Sequence, residues 1–279
     1  MDLILNNEMN IRLGFFLGAF ALLALCEWVS PKRILTQSKV VRWYSNVGIV
    51  VFNVVIVSII FPLVPVAVAF LAAERDWGVL NFYDIAPSLH IVISLIILDL
   101  AIYIQHVMLH ALPVFWRLHR MHHADQDFDV TTGIRFHPIE IVLSTAIKMV
   151  VVILIGAPVI AVVIFEVLIN VTAMFNHSNV NLPLALDRVL RLVVVTPDMH
   201  RVHHSIMSHE NNTNFGFNLP WWDHLFGTYR DQPESGHESM EIGLDLFRTP
   251  KDLHLHRLLI QPFTGVLGEH PTNRRDFKK

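Results

Sequence analysis

The chain has 279 residues, of which 53% are apolar and only 16% are charged, and its mean hydropathy is +0.48. These values lie outside the usual range for a soluble domain of this size and indicate a membrane protein. A net charge of −3 with no long basic block excludes a nucleic-acid-binding surface. The single cysteine, Cys26, excludes a disulfide framework and a thiolate metal site within one chain.

Four apolar stretches are long enough to enter a bilayer. They cover residues 13–29, 47–73, 90–112 and 139–175. The fourth is too long for one crossing, and the sequence GAP at 156–158 divides it into two arms of nearly equal length. We therefore predict an all-α polytopic membrane protein with about three spanning helices and a helical hairpin.

Charges between the apolar stretches predict the orientation. The first loop carries Lys32, Arg33, Lys39 and Arg42, whereas the second carries Glu74, Arg75 and Asp76. Because basic loops stay on the cytoplasmic side, the first loop and everything after residue 112 are predicted to be cytoplasmic. The polar segment from 176 onward then forms a cytoplasmic histidine-rich cap.

These features suggest a division of the chain into four parts that together form one catalytic domain. Residues 1–112 hold the N-terminal membrane helices and end in a first histidine motif, and 113–138 form a cytoplasmic histidine segment. Residues 139–175 are the membrane hairpin, and 176–279 are the cap with the last histidine motif.

The pentapeptide HRMHH at 119–123 is repeated almost letter for letter as HRVHH at 200–204. On an α-helix the first, fourth and fifth positions of the pentapeptide share a face, but the adjacent histidines at the fourth and fifth positions diverge by about 100°. His122 and His123 could therefore serve two different ions. Further histidines stand at the end of the third apolar stretch and just after the hairpin. The nine candidate ligands are His106, His110, His119, His122, His123, His177, His200, His203 and His204.

Nine imidazoles suffice for two metal ions with four or five ligands each. Imidazole binds zinc, copper, iron and nickel, so the ligand type leaves the metal open. The zinc-protease pattern H-E-x-x-H is absent, and two irons that activate dioxygen fit best. Asp99, inside a spanning stretch, and His137, before Pro138, are further candidates, either as ligands or as groups that hold a ligand in place.

Six motifs, in this order along the chain, resemble the fatty acid hydroxylase superfamily, also called the sterol desaturase family. They are HVMLH (106–110), HRMHH (119–123), RFHPIE (135–140), NHSN (176–179), HRVHH (200–204) and NFGFNLPWWDHLFGTY (214–229). The resemblance implies an integral membrane, non-haem di-iron enzyme that uses dioxygen and external electrons to hydroxylate or desaturate lipids. It also implies the same nine metal ligands. Phe215 and His224 depart from the family's usual residues, and neither belongs to the ligand set.

The resemblance favours a lipid hydroxylase, with a lipid or sterol desaturase as the alternative in the same family. A transition-metal transporter or metal-binding membrane protein is the alternative of another class. No G-x-G-x-x-G motif is present for a bound flavin or nicotinamide, so electrons are expected from a separate reductase, ferredoxin or b-type cytochrome. A bacterial inner membrane is the expected location.

The predicted cytoplasmic side also carries scattered arginines. They include Arg117, Arg120, Arg188, Arg191 and Arg201. We expect them to form either a docking surface for an acidic redox partner or contacts with anionic lipid headgroups.

Overall fold

The structure, a computed structural model, describes residues 7–61 and 63–266. Within that part every regular element is helical, apart from two isolated bridges that join Pro31 to Val180 and Ser205 to Ile242. The long helices are α1 (Glu8–Val29), α2 (Lys39–Ile60), α4 (Pro87–Ala111), α6 (Pro138–Ile155) and α7 (Val159–Asn176). The shorter ones are α3 (Pro65–Glu74), α5 (Pro113–His123), α8 (Leu184–Leu190), α9 (Pro197–His203), α10 (Ser208–Asn211), α11 (Trp221–Phe226), α12 (Gly236–Ser239) and α13 (Leu255–Ile260).

Five segments of the described chain are long and apolar enough to cross a membrane. Four of them are α1, α4, α6 and α7, and the fifth begins with α2 and continues through α3 to Phe82. This confirms the predicted all-α membrane fold with three spanning stretches and a two-armed hairpin.

The hairpin turns where the sequence predicted. Helix α6 ends at Gly156, which adopts a left-handed conformation with φ 73°, and Pro158 precedes the first turn of α7. The turn packs against the loop that follows α3, where Asn81 and the backbone of Trp77 approach Gly156. The far ends of both arms lie beside His137 and His177. The arms therefore begin and end on the same side.

The second apolar stretch differs from the prediction of one continuous run over 47–73. It forms two helices, and the first begins at Lys39, eight residues before the apolar run. The early start is possible because Arg42, fully buried, makes ion pairs with Asp125 at 2.8 Å and with Asp129 at 2.6 Å. Pro65, which lacks an N–H donor, occupies the first position of the second helix.

Helix α3 forms the largest apolar core together with α4 and the hairpin. Val66 and Ala69 from α3 pack with Leu98 from α4 and with Val152 and Val162 from the two hairpin arms. The charges inside the arms are neutralised locally, since Lys148 donates to Glu166 at 2.6 Å and Arg12 of α1 reaches the same carboxylate at 3.2 Å. Pairing of this kind allows charged residues within a membrane segment.

The close contact between Gly78 and the hairpin turn generates a stability prediction. Gly78 has φ 105°, and a Cβ atom added there would lie 2.0 Å from the backbone nitrogen of Gly156. We expect Gly78→Ala to lower the free energy of unfolding by about 1–3 kcal/mol or more, because both the backbone and the packing resist the methyl group.

The matched control is Gly14→Ala, where an added Cβ would meet nothing within 4 Å. Thermal unfolding of the two purified variants in the same detergent measures the difference. Equal midpoints for both variants would show that the hairpin turn does not depend on this contact.

Candidate metal centre

Four elements bring the histidines together. The end of α4 carries His106 and His110, and Leu112 closes α4 while it also precedes α5, whose first residue is Pro113. The chain therefore turns back at once, and α5 folds its histidines against those of α4. His177 follows the last residue of α7, and α9 brings the second pentapeptide to the same place.

The nine predicted ligands fall into two groups without overlap. In each group, one candidate ligand atom per residue lies within 4.8 Å of all the others. The five-histidine group contains His106, His110, His119, His123 and His203. The four-histidine group contains His122, His177, His200 and His204. All nine side chains are at most 4% exposed.

Both pentapeptides are divided between the two groups. In the first, His119 and His123 join the five-histidine group and His122 joins the other. In the second, the i,i+4 pair His200 and His204 joins the four-histidine group, and His203 joins the five-histidine group. Since adjacent helical positions point about 100° apart, each short helix can supply both groups. The repeated motif therefore matches two adjoining sites rather than one.

The imidazole nitrogens that face the interior of each group are unusually close. Nε2 of His106 lies 3.1 Å from Nε2 of His119, and Nε2 of His110 lies 3.1 Å from Nε2 of His123. In the four-histidine group, His177 Nε2 lies 3.0 Å from His122 Nε2. A metal ion with bonds of about 2.0–2.1 Å to imidazole holds neighbouring ligand nitrogens about 3 Å apart, so these spacings suit a bound ion.

The outward-facing nitrogens decide whether these contacts can be hydrogen bonds. Nδ1 of His122 lies 3.1 Å from the carbonyl oxygen of Arg135, and Nδ1 of His177 lies 2.7 Å from that of Ala173. A carbonyl oxygen only accepts, so in the neutral ring Nδ1 carries the hydrogen and Nε2 has a bare lone pair. The two Nε2 atoms of His122 and His177 therefore face each other without a proton between them.

The same assignment applies to three rings of the five-histidine group. His119 Nδ1 lies 2.8 Å from Oε1 of Glu140, and His106 Nδ1 lies 2.8 Å from the carbonyl oxygen of Phe215. Nδ1 of His203 donates to the carbonyl of Thr213, and its buried Nε2 has no hydrogen-bond partner in the described chain. A cation between these nitrogens would turn the repulsion between lone pairs into coordination.

Burial keeps the imidazoles neutral. Desolvation is the largest cause that lowers the pKa of five of these rings well below the usual value, and neighbouring histidines lower it further in each case. The five are His122, His123, His200, His203 and His204. Burial likewise lowers the pKa of His177 to about 3. The neutral ring is the form that binds a metal, so the site is ready for metal binding at neutral pH.

The structure does not bring the two further candidates into either group. His137 caps α6, with Nδ1 accepting from Ile139 N–H at 3.2 Å and Nε2 lying 3.2 Å from the carbonyl of Leu259. Asp99 accepts from the Asn218 amide at 2.7 Å and from the Trp222 indole at 2.8 Å. Neither residue belongs to the two groups, and both have other hydrogen-bond partners.

Several groups that hold the histidines in place carry no sequence signal of their own. The carbonyl oxygens of Phe215, Thr213 and Arg135 belong to ordinary backbone, and Asn211 contacts Nδ1 of His123 at 3.1 Å. Glu140 could be anticipated as a nearby acid. Asp125, a buried acid two residues after the first pentapeptide, forms an ion pair with Arg42 instead of a hydrogen bond to any of the nine rings.

Three of the five arginines expected at a docking or lipid-contact surface are buried. Arg120 and Arg201 are fully buried and Arg191 is nearly so. Arg120 donates to backbone carbonyls that include those of Gln261 and Val266, while Arg201 is ion-paired with Asp198. These side chains hold the cap together and cannot form a docking surface.

The fold and the site define a polytopic membrane protein that buries two adjoining groups of imidazoles suited to metal ions. Residues 91–228, about half of the chain, match the family model described as fatty acid hydroxylase, and this range includes all nine histidines. The chain belongs to the fatty acid hydroxylase superfamily.

Similar proteins are lipid-modifying enzymes. The chain is 29% identical over 234 residues to ornithine lipid hydroxylase OlsE from Rhizobium tropici, an alignment that covers 82% of this chain and 69% of that protein. It is also 29% identical to the alkylglycerol monooxygenases of Homo sapiens over 137 residues and Xenopus tropicalis over 140 residues. Each of these alignments covers 49% of this chain and 29% of the relative. No solved structure gives a significant match.

The family, these relatives and the histidine groups together identify an oxidoreductase of the membrane lipid hydroxylase class with a metal site. The five apolar spans place it in the membrane as an integral protein.

The contact between Glu140 and His119 generates a prediction about metal affinity. Removal of the carboxylate leaves His119 Nδ1 without its acceptor, so the ring is less well oriented and less basic. We expect Glu140→Ala to lower the affinity for divalent metal by about 10–100-fold. Competition of the purified protein with a chelator, followed by metal analysis, measures this change.

Glu74→Ala removes an exposed carboxylate at the end of α3 and is the matched control. Its metal affinity should equal that of the unaltered protein. A Glu140→Ala variant with unchanged affinity would mean that the carboxylate does not support the metal ligand.

Proposed function

We propose that this protein hydroxylates a C–H bond of a membrane lipid with two iron ions, dioxygen and electrons from a separate donor. The five-histidine group would hold one ion and the four-histidine group the other. The balanced reaction consumes the C–H bond, one dioxygen molecule, two electrons and two protons, and gives an alcohol and water.

One observation carries the metal assignment: bare Nε2 atoms of neutral, buried rings face each other at 3.0–3.1 Å. Without a cation this arrangement is repulsive and loses the hydration of both nitrogens. Imidazole alone does not select iron. The hydroxylase and monooxygenase relatives support a redox metal rather than zinc.

Bound iron would supply the redox chemistry that activates dioxygen. The protein's own residues contribute binding, orientation and exclusion of water. Nine rings bind, and hydrogen bonds such as those from His119 to Glu140 and from His106 to the Phe215 carbonyl fix their direction. The near-complete burial of the rings excludes bulk water, which favours attack on the substrate over side reactions.

For the substrate we propose a polar membrane lipid. The relatives' names point to an ornithine lipid in one case and an alkylglycerol in the others. Both classes combine a polar headgroup with long alkyl chains. A site at the ends of spanning helices α4 and α7 suits such a molecule, which lies at the boundary between headgroup and hydrocarbon.

We further propose that the site faces the cytoplasm of a bacterial inner membrane, where a reductase, ferredoxin or b-type cytochrome supplies electrons. The basic loop between α1 and α2 supports this orientation, because Lys32 lies 3.3 Å from Asp198 of α9, beside the histidines. Basic loops remain cytoplasmic. The four parts of the chain predicted from sequence, 1–112, 113–138, 139–175 and 176–279, would act as one catalytic domain.

The activity prediction uses cells with and without the protein. Lipid mass spectrometry should detect lipids that gain one oxygen atom when the protein is present. His122→Ala should abolish the gain, because it removes one of four ligands from the four-histidine group. Iron content should fall from about two to about one per chain, since the five-histidine group is intact.

His256→Ala is the matched control, since His256 is exposed and lies outside both groups. It should retain full activity and iron. A product that has lost two hydrogens instead of gaining oxygen would identify a desaturase, and full activity of His122→Ala would refute the ligand assignment.

A further inference from the structure

Helix α8 and the turn after it have an inverted pattern of burial. The charged residues Asp187 and Arg191 are 3% and 8% exposed and form an ion pair with each other. The apolar residues point outward instead. Leu184, Leu186, Val189, Leu192 and Val193 are between 46% and 66% exposed. A segment that exposes these apolar side chains while it buries two of its three charged residues is suited to a lipid environment.

Helix α11 extends this apolar surface. The indole nitrogen of Trp221 donates to the carbonyl of Leu192 at 2.7 Å, so the two segments touch. Trp221 is 46% exposed, and Leu225 and Phe226 are 68% and 54% exposed. Tryptophan is enriched where a bilayer meets water. We call residues 184–194 together with α11 the interfacial surface.

The position of this surface links it to the membrane spans. Helix α8 begins eight residues after α7 ends at Asn176. On the other side, Phe226 stacks on Tyr103 of α4 with ring centroids 5.4 Å apart, and Tyr103 lies less than one turn before His106. The interfacial surface therefore lies at the histidine end of the spanning helices.

A cavity of about 380 Å³ opens beside the surface. It is lined by Leu184, Asp187, Arg188, Arg191, Asp231 and Gln232. Arg191 contacts both aspartates, whereas no carboxylate of the described chain lies within ion-pair distance of the exposed Arg188. Arg191 already neutralises the two aspartates of the cavity. Arg188 is therefore available for an external anion.

We propose that the interfacial surface lies in the headgroup region of the membrane and that the adjacent cavity binds the phosphate of an anionic lipid through Arg188. The exposed apolar side chains contact the acyl chains of the same leaflet, and the guanidinium reaches the phosphate above them. This site is independent of the proposed hydroxylation, and both tests below are made without turnover.

The first test measures the depth of Val189 in the membrane. A nitroxide is attached to Val189→Cys in a Cys26→Ser background, which removes the single natural cysteine, and the protein is reconstituted in liposomes of phosphatidylcholine and phosphatidylglycerol. Oxygen should reach this label better than a water-soluble nickel chelate does. A label on Glu238→Cys, an exposed position of the cap, should show the opposite preference.

A Val189 label that is as accessible to nickel as the Glu238 label would overturn the proposal, because the surface would then face water. A label shielded from both reagents would also overturn it, because a second copy of the chain would then cover the surface.

The second test measures lipid preference. Protein purified from an equal mixture of phosphatidylglycerol and phosphatidylcholine should retain more of the anionic lipid. Arg188→Ala should reduce this preference about fivefold, the effect of one cation near a membrane surface. Arg257→Ala, which removes another exposed arginine, should leave the preference unchanged.

An unaltered preference in Arg188→Ala would overturn the assignment of the cavity. Glycerol phosphate, which has the same anionic group without acyl chains, should not bind at the concentrations that saturate the lipid. Binding of equal strength would identify a site for a soluble anion and would overturn the lipid assignment.

Discussion

Two neutral imidazole rings repel each other when their unprotonated nitrogens face one another inside a protein, unless a cation lies between them. The positions of the histidine-bearing segments depend on this constraint. His122 and His177 meet in this way at 3.0 Å although they come from different helices. Such an arrangement needs rings that cannot turn away. Two backbone carbonyls hold them: that of Arg135 accepts from Nδ1 of His122, and that of Ala173, one turn earlier in α7, accepts from Nδ1 of His177.

A second layer of buried charge holds the helices that carry the rings. Arg42 of α2 pairs with Asp125 and Asp129, just after the first pentapeptide, and Glu27 of α1 accepts from the backbone of Val130 and Asn179 at 2.6 and 2.7 Å. Breaking one partner of such a network leaves a buried charge without compensation, which is strongly destabilising. These buried contacts therefore connect the membrane helices firmly to the histidine segments.

The histidine end of the bundle is where hydrocarbon, headgroups and the polar cap meet. The hairpin arms return there, and the opposite end closes where the hairpin turn meets Gly78. A lipid hydroxylase needs such a location, because its substrate stays in the bilayer while water must be kept from the metal.

The arginine that both pentapeptides share has a different role in each copy. Arg120 donates to backbone carbonyls that include those of Gln261 and Val266, whereas Arg201 forms an ion pair with Asp198.

The amino-acid sequence by itself determined the membrane class, the hairpin at Gly156 and the nine histidines, because apolar length, helix breaks and helical spacing are local properties. Only the tertiary structure decided how the histidines divide into groups of five and four. It also placed His137 and Asp99 outside both groups and buried Arg120. Each of these depends on contacts between segments that are far apart along the chain. Sequence spacing can say which face of a helix a side chain occupies, but not which distant partner meets that face.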